Sequence, residues 1–177
     1  PSGVTNAYAS GARLNGAEIH RFTPVIGTEQ NSDGSWNVRT KKGDIHTEWV
    51  VNAAGLWGRE VGKMANINLP LQPTEHQYFV TDTIEEIKNF KNRLPSVADR
   101  DGEYYLRQEG KGLLIGAYEK NYKLWAERET PKDFGHDLFD DDLERIEENV
   151  LRAIDRVPIA GSAGIKRVIN GPMIWSP

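Results

Sequence analysis

Val50-Val51-Asn52-Ala53-Ala54-Gly55-Leu56-Trp57 is the stretch on which the fold reading turns. Its paired valines predict a buried strand, Ala-Ala-Gly a turn bare of large side chains, and the spacing over Gly58–Met64 a short helix. A strand that ends this way lets backbone approach a flat ligand, because no side chain stands between them. The turn also lies at a helix N-terminus, where N–H groups lack intrahelical partners. In doubly wound α/β folds, ligands sit beyond the carboxyl ends of strands. An ordinary strand–turn–helix junction, packed for compactness alone, fits the same local pattern.

Upstream of this stretch, residues 2–15 read as a helix with Ser2 as N-cap and Asn15-Gly16 as its stop. Alternation predicts a strand over 17–22, continued over 25–30, and Ser32-Asp33-Gly34 supplies a turn. Strands over 36–40 and 45–51, joined at Lys42-Gly43-Asp44, complete a β-meander. Downstream, Pro70 and Pro73 break the chain and mark the expected domain boundary, giving 1–69 and 70–177. The second part predicts a strand over 77–81 and a short helix over 84–90. A hairpin of 104–108 with 112–118 follows, and then a helix over 141–156. That helix has an apolar stripe of Leu143, Ile146, Val150, Leu151 and Ile154. Final strands over 165–169 and 173–175 are separated by Asn170-Gly171-Pro172.

Four motifs recur in a fixed order: Val51 to Trp57, His76-Gln77-Tyr78, Tyr104-Tyr105-Leu106-Arg107-Gln108, and Asn170-Gly171-Pro172 with Ser176-Pro177. Over essentially the whole chain they resemble the dimethylglycine and sarcosine dehydrogenase group of the D-amino-acid-oxidase-like flavoproteins. The resemblance implies an α/β fold, in which a Rossmann-like FAD-binding domain is interleaved with a mainly antiparallel substrate-binding sheet. Residues 1–69 would belong to the FAD-binding domain. Residues 70–177 would form the substrate-binding domain, returning toward the FAD domain at the C-terminal end. No Gly-x-Gly-x-x-Gly follows a strand here, although the family carries one near its N-terminus, and the first residue is Pro1 rather than Met. The chain therefore reads as an internal fragment that binds FAD weakly or not at all by itself.

His76 titrates near neutral pH and can orient a substrate or favour a deprotonated amine, although a lone histidine in a strand is often only packing. Resemblance matches His76 and Tyr78 to the family His-x-Tyr, whose histidine lies by flavin and substrate. Alternation places Tyr105 and Arg107 on one strand face and Tyr104 on the other. A guanidinium and a phenol projecting together suit a small amino acid, the guanidinium taking its carboxylate in a fork. A strand with one core face and one wet face fits the same alternation. The family tyrosine aligns with Tyr105 when Arg107 is the anchor, and an offset of one gives Tyr104. Resemblance further implies flavin contact for Ala53, Ala54 and Gly55 with Trp57 nearby, adenine contact for Val25, and a substrate-side place for Trp175. Trp36, Trp49 and Trp125 read as core or lining residues.

Other chemistry is disfavoured. The net charge of −4, with scattered basic residues, argues against a nucleic-acid surface. No apolar run approaches the about 20 residues of a membrane helix. The absence of cysteine removes disulfides, thiolate zinc sites and a thiol nucleophile. Asp140-Asp141-Asp142 precedes a helix and reads as capping rather than as a metal site. His20, His46 and His136 lack ligand spacing and read as surface residues.

The resemblance thus implies FAD-dependent oxidation of an N-methyl group of dimethylglycine or sarcosine, with hydride passing to the flavin. The resulting iminium would be hydrolysed, or captured by tetrahydrofolate through a domain absent here. Electron-transfer flavoprotein is the implied acceptor. The location would be the mitochondrial matrix in a eukaryote and the cytoplasm in a bacterium. A regulatory homologue resembling the pyruvate dehydrogenase phosphatase regulatory subunit is the alternative.

Overall fold

In the computed structural model, which describes residues 2–135 and 137–176, the chain divides into two compact units. His136 lies outside the described residues. One unit comprises the residues up to Ala53 together with Val61–Asn68, and the other Ala54–Glu60 with the residues from Leu69 onward.

The first unit contains helix α1 (Ser2–Leu14) and three antiparallel strands in sequential order, β1 (Val25–Gln30), β2 (Trp36–Thr40) and β3 (Gly43–Thr47). The Asn15-Gly16 stop is real: Gly16 N–H donates to Arg13 and Ala17 N–H to Ala12. The β2–β3 turn falls at Lys41-Lys42, because Gly43 already pairs with Thr40. One expected strand is absent among the described residues, and another is shorter than expected. Residues 17–22 form none; Arg21 and Phe22 make a turn, and Phe22 has φ 54°, outside extended geometry. The β2–β3 ladder ends at the Trp36–Thr47 pair, so Val50 and Val51 have no ladder partner among the described residues. Val51 is 87% exposed. Hydrophobic pattern alone cannot make a strand without a neighbour to take its hydrogen bonds. Trp49 is also exposed rather than core.

In the second unit, a 3₁₀ turn (Gly55–Trp57) leads into helix α2 (Gly58–Met64), which crosses between the two units. The main sheet has six strands and only antiparallel pairings. Strand β4 (Gln72–Thr81) is its centre, with β9 (Ile165–Trp175) on one side. On β4's other side lie β7 (Gly112–Ala117) and the short β8 (Lys123–Leu124), and beyond β7 come β6 (Tyr104–Glu109) and β5 (Val97–Asp99). β4 begins earlier than its alternation suggested, so His76 sits mid-strand. β9 runs unbroken through Asn170-Gly171-Pro172, contrary to expectation. Among the described residues it pairs only with β4, and Phe139 N–H donates to the Asn170 carbonyl from outside. Pro172, two residues on, shares that outward orientation, so its missing N–H breaks no ladder bond.

One face of this sheet is covered by helix α4 (Leu143–Arg156), and the short helix α3 (Glu85–Lys88) closes one end of the core. Phe79, Tyr104, Leu106, Leu113, Ile115, Ile146 and Ala153 form the centre. The stripe on α4 holds for Ile146 with Leu143, Val150 and Ile154, but Leu151 is 58% exposed. A residue one step past Val150 is turned about 100° away from it, onto the wet side. Asp142 precedes α4 without a side-chain capping bond, because its carboxylate accepts from Arg145 Nε at 2.9 Å. Gln77, fully buried, takes both backbone groups of Asp142.

Candidate functional site

Antiparallel register decides which side chains stand together on the face away from α4. Tyr78 pairs with Gly116 of β7 and Ile169 of β9, and Gly116 pairs in turn with Tyr105 of β6. His76 pairs with Gly171, and Gln72 with Trp175. Paired residues share a face and neighbours alternate, so His76, Tyr78, Tyr105, Arg107 and Trp175 project from this side. Tyr118, just past β7, joins them; its N–H donates to Glu103 O at 2.7 Å.

The rings form one cluster. His76 stacks on Tyr118 at 5.1 Å and lies 6.5 Å from Tyr105, while Tyr105 and Tyr118 are 5.4 Å apart. Trp175 meets Tyr118 edge-on at 6.2 Å, and its Nε1 donates to Thr74 Oγ1 at 2.9 Å. Tyr118 and Trp175 remain 46% and 42% exposed, so the cluster has an open apolar wall. Gly116 is the floor under Tyr105: a Cβ there would lie 2.2 Å from Cζ and 2.4 Å from Oη. Only a hydrogen side chain permits the ring to lie flat across the strand.

Electrostatics give the two polar rings different states. Burial first, and the Arg145 charge second, lower the His76 imidazole from its ordinary value, which favours the neutral ring. Burial, with Tyr118 and Tyr78 adding, pushes the Tyr105 phenol up to about 12, so it stays protonated and can donate. Arg107 shares the face, and its Nη1 donates to Glu109 at 2.6 Å.

Of the sequence-predicted residues, the structure gathers His76, Tyr105, Arg107 and Trp175 on this face. Tyr104 is not among them: it is 2% exposed in the core on the opposite face. Val25 begins β1 and Ala53 is exposed, both in the first unit. Ala54 is half-buried at the start of the second unit, and the Gly55–Trp57 turn lies alongside β9. Trp57 is held by Nε1 donating to Pro131 O at 3.0 Å. Gly55 has φ 55°, and a Cβ there would meet nothing within 4 Å. This bend is an open backbone surface of the kind a flat ring can approach, so the residues fit a flavin. Trp125 packs with Phe134 and Phe139 in a separate aromatic group.

Tyr118 and Gly116 were missed from the sequence, although carrying the alternation through the hairpin places both on the Tyr105 face. Among the described residues no group of three His, Asp or Glu side chains is placed to hold a metal, and no helix is long and apolar enough to cross a membrane.

An antiparallel sheet backed by a helix thus carries a histidine and tyrosines on its bare face, with an open glycine bend in the same unit. The chain belongs to the FAD dependent oxidoreductase family, whose model matches residues 1–174. It is 45% identical to human mitochondrial dimethylglycine dehydrogenase and 37% identical to human mitochondrial sarcosine dehydrogenase, each over its whole length. It spans about a fifth of these relatives, 21% and 19%. Among solved structures it is similar to L-proline dehydrogenase from P. horikoshii, with TM-score 0.70 and 25% identity over 98% of this chain and 43% of that one. The expected mixed α/β class with antiparallel sheets holds.

Proposed function

We propose that this chain carries the substrate face of a flavin-dependent amine dehydrogenase that oxidises an N-methyl group of dimethylglycine or sarcosine. The observation that carries this reading is the gathering of His76, Tyr105, Tyr118 and Trp175 around one open patch. The two dehydrogenase relatives support the substrate class. Backbone at Ala53, Ala54 and Gly55 would hold the flavin, with Trp57 beside it and Val25 toward the adenine. FAD, when bound, supplies acceptance of a hydride, and the protein supplies orientation and electrostatics. Electron-transfer flavoprotein is the proposed acceptor.

A hydride leaves an N-methyl carbon only while the nitrogen lone pair is free, so the site must favour the neutral amine. His76, kept neutral by burial, accepts the ammonium proton through a ring nitrogen. Tyr105, kept protonated, donates through Oη and orients the substrate. Tyr118 and Trp175 exclude water and, by lowering local polarity, disfavour the ammonium form. Arg107, anchored at Nη1 by Glu109, presents its remaining N–H groups to the carboxylate. The full-length protein that carries this chain, loaded with FAD, should bleach anaerobically with dimethylglycine or sarcosine. A flavin that binds yet stays oxidised with both would replace this reading with the regulatory one.

A further inference from the structure

Behind the sheet, α4 carries a charged cluster that the chemistry above does not touch. Arg145 is 6% exposed in its side chain. Its Nε donates to the Asp142 carboxylate at 2.9 Å, and its Nη1 to the Glu119 carboxylate and, at 3.4 Å, to the Glu75 carbonyl. Nη2 lies 3.8 Å from the Glu75 carboxylate, which Lys123 approaches at 2.9 Å and Asn170 Nδ2 at 3.1 Å. Three of the polar residues gathered here are chain neighbours of the open face. Glu75 precedes His76, Asn170 precedes Gly171, and Glu119 follows Tyr118. Because side chains alternate along a strand, whatever grips one neighbour from behind sets the position of the other in front. One turn further along α4, Asn149 Nδ2 holds the carbonyls of Gly102 and Glu103 at 3.1 and 3.2 Å, just before β6.

Net stabilisation is a poor reason for this arrangement, since an apolar set of equal volume commonly stabilises a buried position as well or better. A guanidinium that directs its donors to the flanks of two site residues points elsewhere. We propose that Arg145 is a positioning residue for the substrate face: by clamping Glu75 and Glu119 from behind, it fixes how His76 and Tyr118 stand in front. The proposal rests on the reading that this face binds substrate. The fork of a guanidinium can reach Asp142, Glu119 and Glu75 together, whereas an ammonium is a single point that cannot hold all three.

The test uses the full-length, FAD-loaded protein that carries this chain, with Arg145→Lys and Arg145→Gln. Steady-state kinetics with dimethylglycine is combined with NMR titration of the His76 imidazole, assigned by its loss in His76→Gln. The ionisable groups near His76 are Tyr105 and Tyr118 in front, Arg145, Glu119 and Asp142 on the helix side, and Glu75 with Lys123 on β4 and β8. β9 contributes the uncharged Gly171, so only the Arg145 charge changes between variants. Arg145→Lys should keep its fold and flavin and lower kcat about tenfold with KM within about twofold. Arg145→Gln should raise the His76 titration midpoint, because a positive charge is removed. If Arg145 only supports the fold, both variants melt earlier while folded protein keeps wild-type kcat and His76 midpoint, and the proposal fails. Should the glutamine variant not fold, the kcat of the lysine variant decides alone. A wild type that does not reduce its flavin sinks the substrate reading, while the His76 midpoint still reports on Arg145.

Discussion

Gly116→Ala is the sharpest perturbation this face offers. The added Cβ would lie 2.2 Å from Tyr105 Cζ. Carbon atoms are in comfortable contact near about 3.5 Å, so the ring must retreat by about 1.3 Å. Tyr105 is half-buried and can swing outward, so the fold should yield there before the strand pairing does. The stability loss is then the ring contacts with His76 and Tyr118, about 0.5–1.5 kcal/mol, lowering the melting midpoint by a few degrees at most. Activity should suffer far more, since a misplacement of about 1 Å can cost about 100-fold. The assay is kcat/KM for dimethylglycine in the FAD-loaded enzyme, for Gly116→Ala, Tyr105→Ala and the double variant. In the Tyr105→Ala background nothing remains to clash, so Gly116→Ala should there change kcat/KM by less than about twofold. An unaltered kcat/KM in the single variant, or an equal loss in both backgrounds, would refute the reasoning.

Further outcomes follow from the same geometry. In the full-length, FAD-loaded protein, His76→Ala and Tyr105→Phe should each lower turnover at least about tenfold, and pH–rate profiles matching wild type would remove them from the chemistry. The folded His76 titrates below its unfolded value of 6.5, so the unfolded chain binds more protons between the two values. Stability should therefore fall as pH drops through 6.5 and level off below the folded value, and His76→Gln should flatten that slope in denaturant titrations. Gln77→Met leaves the half-buried Asp142 N–H and carbonyl without their partner, which should destabilise by about 1 kcal/mol in urea unfolding. A neutral result there would mean that solvent reaches Asp142.

Legibility from sequence followed the range of each interaction. The 104–118 hairpin, the stop after α1 and the stripe on α4 are written in local spacing, and they stand as read, Leu151 apart. His76 and Tyr105 came from motif resemblance, and alternation separated the adjacent tyrosines onto the faces where the structure has them, Tyr104 in the core and Tyr105 beside His76. Residues 45–51 failed as a full strand because pairing is non-local: a valine pair cannot announce whether a neighbour is there to meet it. The break assumed at Asn170-Gly171-Pro172 failed for a related reason, since proline is harmless where its nitrogen faces outward. The Arg145 cluster was invisible because its members, Glu75, Glu119 and Arg145, meet only once strands from distant parts of the chain are laid side by side.

The position of Pro172 has a consequence for solubility. A rim strand of 11 residues would ordinarily offer a template on which a second copy could add its own strand. Here the Phe139 amide already occupies the Asn170 acceptor, and a pyrrolidine ring sits where the next donor should be. A growing stack of such sheets would stall at that point, so the platform that displays its rings so openly carries its own guard against fibre formation.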